Sequence, residues 1–244
     1  MFPFDTEIHG NHLLNYLPRN EWQAVARDLE FVQLRAGQLL SDAGRRIYHV
    51  YFPTTAVVTL LQSMEDGGCI EVAAVGRNGM TGVPVLTGGE TMPTRVEVQR
   101  AGAAYRMSAS ALSQHFGRSE PLRRITLLYM QALLTEVAQT AACNRHHSVS
   151  KQLCRWLLIQ YDRTRSNEMR VTHQFIADML GVRREGITEA ARKLHLAGVV
   201  HTSRARIELL DHASLQASAC ECYAIVKREF DRMLPSYRRA EPLV

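Results

Sequence analysis

The sequence lacks any apolar run approaching the ~20 residues needed to span a bilayer, so no membrane segment is expected. Its first residues, MFPFDTEIHGNH, hold no basic stretch followed by an apolar core, so no secretory leader is expected and a cytosolic protein is. Cysteine is scarce and odd in number: Cys69, Cys143, Cys154, Cys220 and Cys222 suit reduced, structural thiols better than a disulfide framework. Only Cys220 and Cys222 are neighbours, and no C-x-x-C pair or histidine cluster completes a tetrahedral set, so no metal site is expected. The signatures G-x-S-x-G, P-loop, H-E-x-x-H and the dinucleotide-binding glycine fingerprint are all missing, and the glycines of VGRNGMTG do not open a helix in a βαβ unit. Nothing therefore supports an enzyme. Low-complexity linkers and internal repeats are absent too.

The chain has 244 residues, 46% of them hydrophobic, enough for a sizeable core and two domains. Its formal net charge of +5 is unevenly placed. Residues 1–146 carry 13 Lys/Arg against 13 Asp/Glu, residues 211–244 carry 5 against 5, and residues 147–210 carry 11 against 6. The whole excess thus lies in one segment, the arrangement that attraction to a polyphosphate backbone requires.

That segment contains VTHQFIADMLGVRREGITEAARKLHLAGVV followed by HTSRARIEL. Counted from His173, Ala177, Gly181 and Ile187 fall at the fifth, ninth and fifteenth positions, the ones a helix-turn-helix restricts most. A small residue lets two helices approach, glycine supplies the turn, and the isoleucine anchors the second helix. Thr172 is the expected N-cap. Val199 to Thr202 and Ile207 to Leu210 flank Ser203-Arg204-Ala205-Arg206 as a hairpin wing, whose Arg204 and Arg206, with Lys151 and Arg155, are candidate phosphate clamps.

Upstream, residues 12–29 read as one or two short helices, and residues 30–108 as short β-rich runs separated by Gly, Asp or Pro, implying a sandwich or β-roll. Ala109 to Phe116 is a short helix. After Pro121 a long one follows, in which Leu127, Met130, Leu134, Val137, Ala141 and Asn144 recur at intervals of 3 and 4. Such a seam is either the inner face of a packed helix or a two-chain coiled coil; its place between a β-roll and a DNA reader favours dimerisation. Residues 148–163 form another helix, TRSNEMR a polar loop, and the chain from His212 one more helix ending near Pro235. His146-His147 read as a polar helix end, His9 and His12 carry no stronger signal, and Met64, Met80, Met92 and Met107 read as core filler.

This order of elements resembles the CRP/FNR family of bacterial transcription regulators over roughly residues 12 to 211. Leu34, Gly37 and Leu40 form an L-x-x-G-x-x-L pattern followed by Gly44 and IYHVYFP, the Gly76, Gly79, Gly82 run resembles the family's approach to its ligand cassette, and VTHQFIADMLGVRREGITEAARKL is the densest match. The resemblance implies an α+β fold with an N-terminal cyclic-nucleotide-binding-like β-roll sensor (cupin-like jelly roll, 1–118), a dimerisation helix (119–146), a winged helix-turn-helix (147–211) and a C-terminal helical extension (212–244). It implies a homodimer on a palindromic double-stranded DNA site, with RNA polymerase as a further partner. Thr172 and His173 would touch phosphate, Arg184, Glu185 and Thr188 would face the bases, and Glu185 would accept from a cytosine amino group.

Three departures qualify this. Glu189 stands where many members have an arginine, so the half-site should differ from the best-known consensus. Arg183 occupies the usual small N-cap position. In the sensor, Val83 and Pro84 follow Gly82 where the ribose-holding glutamate belongs, leaving Thr94 and Arg95 as the only phosphate partners beside Gly82 and Val83. These argue against cAMP and leave the effector open. With no cysteine before Cys69, an iron-sulfur cluster is also argued against. The competing reading is a cyclic-nucleotide-like module acting through protein binding, which would need neither Arg184 and Glu185 nor a basic half.

Overall fold

The computed structural model describes residues 10–65 and 67–234; His9, most of the N-terminal stretch and Pro235 lie outside the described residues. Helices α1 (His12–Asn15) and α2 (Arg19–Ala26) come first. Asn11 fixes their entry: its side-chain oxygen accepts from the amides of Leu13 and Leu14, while its amide donates to the carbonyls of Pro53 and Gly79, each at 2.9 Å. The first helix is thereby capped and tied to the body that follows.

That body is a β-roll. Strands β1 (Glu30–Leu34), β2 (Leu39–Ser41), β3 (His49–Pro53), β4 (Val57–Ser63), β5 (Cys69–Val75), β6 (Arg95–Arg100) and β7 (Gly102–Ser108) form two antiparallel sheets, ordered β2-β6-β4-β5 and β1-β7-β3. Alternation explains the layering: Val96 and Val98 are buried in the core, while Arg95 and Glu97 pair at 3.0 Å on the other face. Met80 and Met107 are core residues as expected, but Met64, at the exposed end of β4, is not.

Helix α3 (Ala109–Arg118) leads into α4 (Glu120–His146), whose start is set by Ser119 accepting from the Leu122 amide and by Pro121 in the first turn. Leu122, Ile125, Tyr129, Ala132 and Leu133 face the roll and join its core. The seam lies elsewhere on the helix: Leu134 is 63% and Leu127 39% exposed, Ala141 is exposed, and Met130 and Val137 are half-buried. Within one chain, then, the seam is not the inner face of a packed helix.

The remaining elements are α5 (Val149–Thr164), β8 (Glu168–Met169), α6 (His173–Leu180), α7 (Arg184–Leu196), β9 (Val200–Ser203), β10 (Arg206–Leu209), α8 (His212–Ser218) and α9 (Glu221–Met233). Two expectations need correction. The TRSNEMR stretch is not merely a loop: Met169 is buried and pairs with Ile207, making β8 a third wing strand in the order β8-β10-β9. The chain after His212 is two helices, because Ala219 and Cys220 turn extended between them. Helix α9 returns to α4, adding Val226, Phe230, Met233 and Leu234 to the β-roll core.

The VGRNGMTG glycines are required by packing. A Cβ on Gly79 would lie 2.6 Å from the Tyr129 ring of α4, and one on Gly76 would lie 2.7 Å from the Arg163 Cβ of α5. The bare loop lets two helices seat on it at once.

Candidate nucleic-acid interface

The helix-turn-helix is built as its spacing predicts. Thr172 caps α6 by accepting from the Phe175 amide at 3.0 Å, Gly181 ends it with φ 64°, and Ala177 and Ile187 are fully buried between α6 and α7. Burying Ile187 fixes the rotation of α7, so Arg184, Glu185 and Thr188 point outward, and all are exposed with Arg183 just before them. Arg183 is the N-cap of α7 and makes no side-chain capping bond. The α7 amides at that end remain directed at whatever anion approaches.

The nine residues expected to meet DNA do not stand alike. His173 Nδ1 lies 3.1 Å from Thr188 Oγ1, linking the start of α6 to the reading face of α7. Burial, then the neighbouring Arg184 charge, lowers the His173 pKa and so favours the neutral ring. Glu189 is gripped by Arg192 through two contacts of 3.1 Å and by Lys193 at 3.5 Å, so it is already neutralised along its own helix. On the wing, Arg204 is exposed at the two-residue turn completed by Ala205 at φ 55°. Arg206 instead faces Glu208 at 3.0 Å and Glu168 at 3.3 Å, partners that β8 and β10 bring beside it. Arg155, read as a phosphate clamp, is only 4% exposed and donates to Thr140 at 2.8 Å; the apolar face of α5 carries it inward.

The sensor residues are placed differently from their expected roles. Gly82 has φ 77° and begins the short 3-10 turn Val83–Thr87. The space beside it, lined by Leu40, Ile47, His49, Tyr51, Met92 and Val96, is too tight to admit even a water molecule, far below the usual size of ligand pockets. Arg95 does not enter it, since strand alternation places Val96 on that side and Arg95 against Glu97. Thr94 Oγ1 is buried without a hydrogen-bond partner among the described residues.

A family model described as a Crp-like helix-turn-helix domain matches residues 151–218. Over that segment the chain is similar to a Crp-like domain. No curated protein sequence matches the chain. Among solved structures, a transcriptional regulator of the Crp/Fnr family from Eubacterium rectale is 19% identical, with 84% of this chain and 96% of that chain covered and a TM-score of 0.65. FixK2 from Bradyrhizobium japonicum is 17% identical over 79% of this chain and 98% of its own, with a TM-score of 0.68. A CRP-family transcriptional regulator from Thermus thermophilus is 20% identical over 77% and 96%, with a TM-score of 0.64. At such identities the likeness is one of fold, and it spans the β-roll as well as the reader. The resemblance to the CRP/FNR family is therefore carried by both halves.

The Crp-like domain docks on β5 of the roll through polar contacts that sequence reasoning missed. Trp156 of α5 donates to Glu71 at 3.1 Å, and Glu71 also accepts from Thr59 at 2.7 Å and Gln99 at 3.2 Å. Arg163 of α5 pairs with Glu136 of α4 and donates through Nε to the Ala74 carbonyl at 2.9 Å. Both carboxylates are buried. Desolvation raises the Glu71 pKa to about 7 against the bonds from Thr59 and Trp156. A signal for Glu136 was available, since it is the one carboxylate on the apolar face that runs through Ile125, Tyr129 and Leu133. The thiols also depart from expectation. Cys143, Cys220 and Cys222 converge with His147, because α9 begins beside the end of α4.

Proposed function

We propose that the protein is a homodimeric, sequence-specific DNA-binding transcription regulator. The observation that carries this is the exposed set Arg183, Arg184, Glu185 and Thr188 on the first turn of a helix locked by Ile187, in the only segment with excess positive charge. Arg184 offers a fork for guanine or phosphate, and Glu185 an acceptor for a cytosine amino group. The uncovered seam of α4 supplies the pairing surface, and a two-fold pair of readers implies a palindromic site with half-sites about 34 Å apart. Such a regulator works in the cytoplasm, where RNA polymerase is the natural further partner.

The same reading gives the sensor an effector other than cAMP, because neither a ribose carboxylate nor a cavity-facing arginine stands beside Gly82. Displacement of the Gly76–Gly82 loop would bias α4 and α5 together, shifting the population of dimer geometries. Selection of binding sites from random DNA by the full chain tests the function: a two-fold symmetric consensus is expected. Glu185→Ala should relax preference at one position of each half-site, at a cost of about 1 to 3 kcal/mol. Recovery of no consensus, or of an identical one by the variant, would overturn the assignment.

A further inference from the structure

The α4–α5 junction holds a set of side chains that DNA reading does not use. Cys143 sits in the last turn of α4, His147 is its C-cap, Cys220 is the N-cap of α9 and Cys222 lies in the first turn of α9. All three thiols are buried, and the four donor atoms lie within 4.8 Å of one another. Cys143 Sγ is 3.6 Å from Cys220 Sγ, and Cys222 Sγ is 3.4 Å from His147 Nδ1. With zinc–sulfur bonds of about 2.3 Å and zinc–nitrogen bonds of about 2.0 Å, the edges of a tetrahedron are roughly 3.8 Å between sulfurs and 3.5 Å between sulfur and nitrogen. These two separations match those edges, and the remaining donor pairs lie within 4.8 Å. A disulfide would demand about 2.05 Å instead.

The surroundings fit a metal as well. His147 presents Nδ1 to the cluster while its Nε2 lies 3.3 Å from the Glu221 carboxylate, the outer partner that fixes the tautomer of a metal-bound imidazole. Gln139 Nε2 donates to Cys222 Sγ at 3.1 Å, a bond that strengthens when the sulfur is a thiolate. Arg155 is buried nearby and its Nε lacks a hydrogen-bond partner among the described residues, so a positive charge stands ready for an anionic centre.

The geometry points to a closed, four-coordinate zinc site made of Cys143, His147, Cys220 and Cys222, which clamps the C-terminus of α4 to the N-terminus of α9. Each thiol releases one proton to solvent as it is metallated, and three thiolates with a neutral imidazole leave the zinc centre with a single net negative charge beside Arg155. No position remains for substrate, so the site is structural. It joins the end of the seam helix, just before α5 begins, to the C-terminal extension, and it stands whether or not the chain reads DNA.

The test uses the full chain, reduced and stripped with a chelator, then titrated with zinc alone against a chromophoric competitor. One zinc per chain is expected. Cobalt added to the stripped protein should give the intense visible bands and thiolate charge-transfer absorption of a tetrahedral, sulfur-rich site. Cys220→Ser and Cys222→Ser should weaken zinc binding more than tenfold, Glu221→Gln about tenfold, and Cys69→Ser not at all. Substoichiometric zinc, a weak octahedral cobalt spectrum from the unaltered protein, or equal affinity in Cys220→Ser would each overturn the site. So would a Cys143–Cys220 disulfide that forms in air even in the presence of saturating zinc. The cobalt spectrum needs no variant, so misfolding of a serine substitution leaves the question decidable.

Discussion

Replacing Glu71 with glutamine tests the contact between the β-roll and the Crp-like domain through its pH dependence. Glu71 is buried, and desolvation together with the Glu136 charge outweighs the bonds from Thr59 and Trp156, raising its pKa from the usual 4.5 to about 7. The folded state therefore keeps a proton that the unfolded chain releases between these values. The stability linked to this group is fully present below about pH 4.5 and is lost as pH rises through about 7. A difference of about 2.5 units at 1.36 kcal/mol each amounts to about 3 kcal/mol. Glutamine cannot ionise, and its amide can replace the protonated acid: Trp156 still has an oxygen to donate to, and Gln99 can turn its otherwise unpartnered Oε1 toward the new amide. His12, pushed down to about 4 by burial and then by Arg77, Arg165 and Arg163, destabilises in the opposite direction as pH falls, so the wild-type profile alone is a mixture. The difference between variant and wild type cancels His12. Urea unfolding at about pH 5 and about pH 8 should show Glu71→Gln gaining on wild type by about 2 to 3 kcal/mol between the two. Parallel profiles would refute the buried, proton-holding carboxyl.

Two further substitutions separate side chains that sequence alone treats alike. Arg204→Ala should weaken all DNA about equally and reduce the slope of log affinity against log salt by about one unit, whereas Arg206→Ala, whose charge already meets Glu168 and Glu208, should change that slope by less than half as much; equal slopes from the two variants would count against a division of labour on the wing. Leu134→Asp places a charge in the exposed seam of α4 and should halve the mass seen by light scattering while leaving the helical content in circular dichroism unchanged; an unaltered mass would remove α4 as the pairing surface.

The helix-turn-helix was legible because its determinants are local. Ala177, Gly181 and Ile187 act within fifteen residues, and each has one physical reason to be small, left-handed or apolar. The alternation of the roll strands and the spacing of the α4 seam were local in the same sense. What escaped were contacts between distant segments: Trp156 meets Glu71 across 85 positions, Arg163 meets Glu136 across 27, and Cys143 meets Cys220 across 77. Periodicity fixes which face of a helix is apolar, but not which polar group waits opposite it. Arg155 was misjudged for that reason, since a basic residue in a basic segment reads as a phosphate ligand until its intramolecular partner is known. The break before Cys220 hid the cluster a second time, because a continuous helix would not have turned those thiols back toward α4.

The glycine loop touches two machines at once. Tyr129 of α4 rests on Gly79 and donates to the Met80 carbonyl at 3.0 Å, while Arg163 of α5 rests on Gly76. Gears with clearance between their teeth lose small motions; these contacts have no clearance to lose. A shift of the loop would press on the helix that offers the seam and on the one that carries the reader together. A methyl group at either glycine would therefore do more than crowd the core. It would push α4 or α5 off the loop on which both are seated.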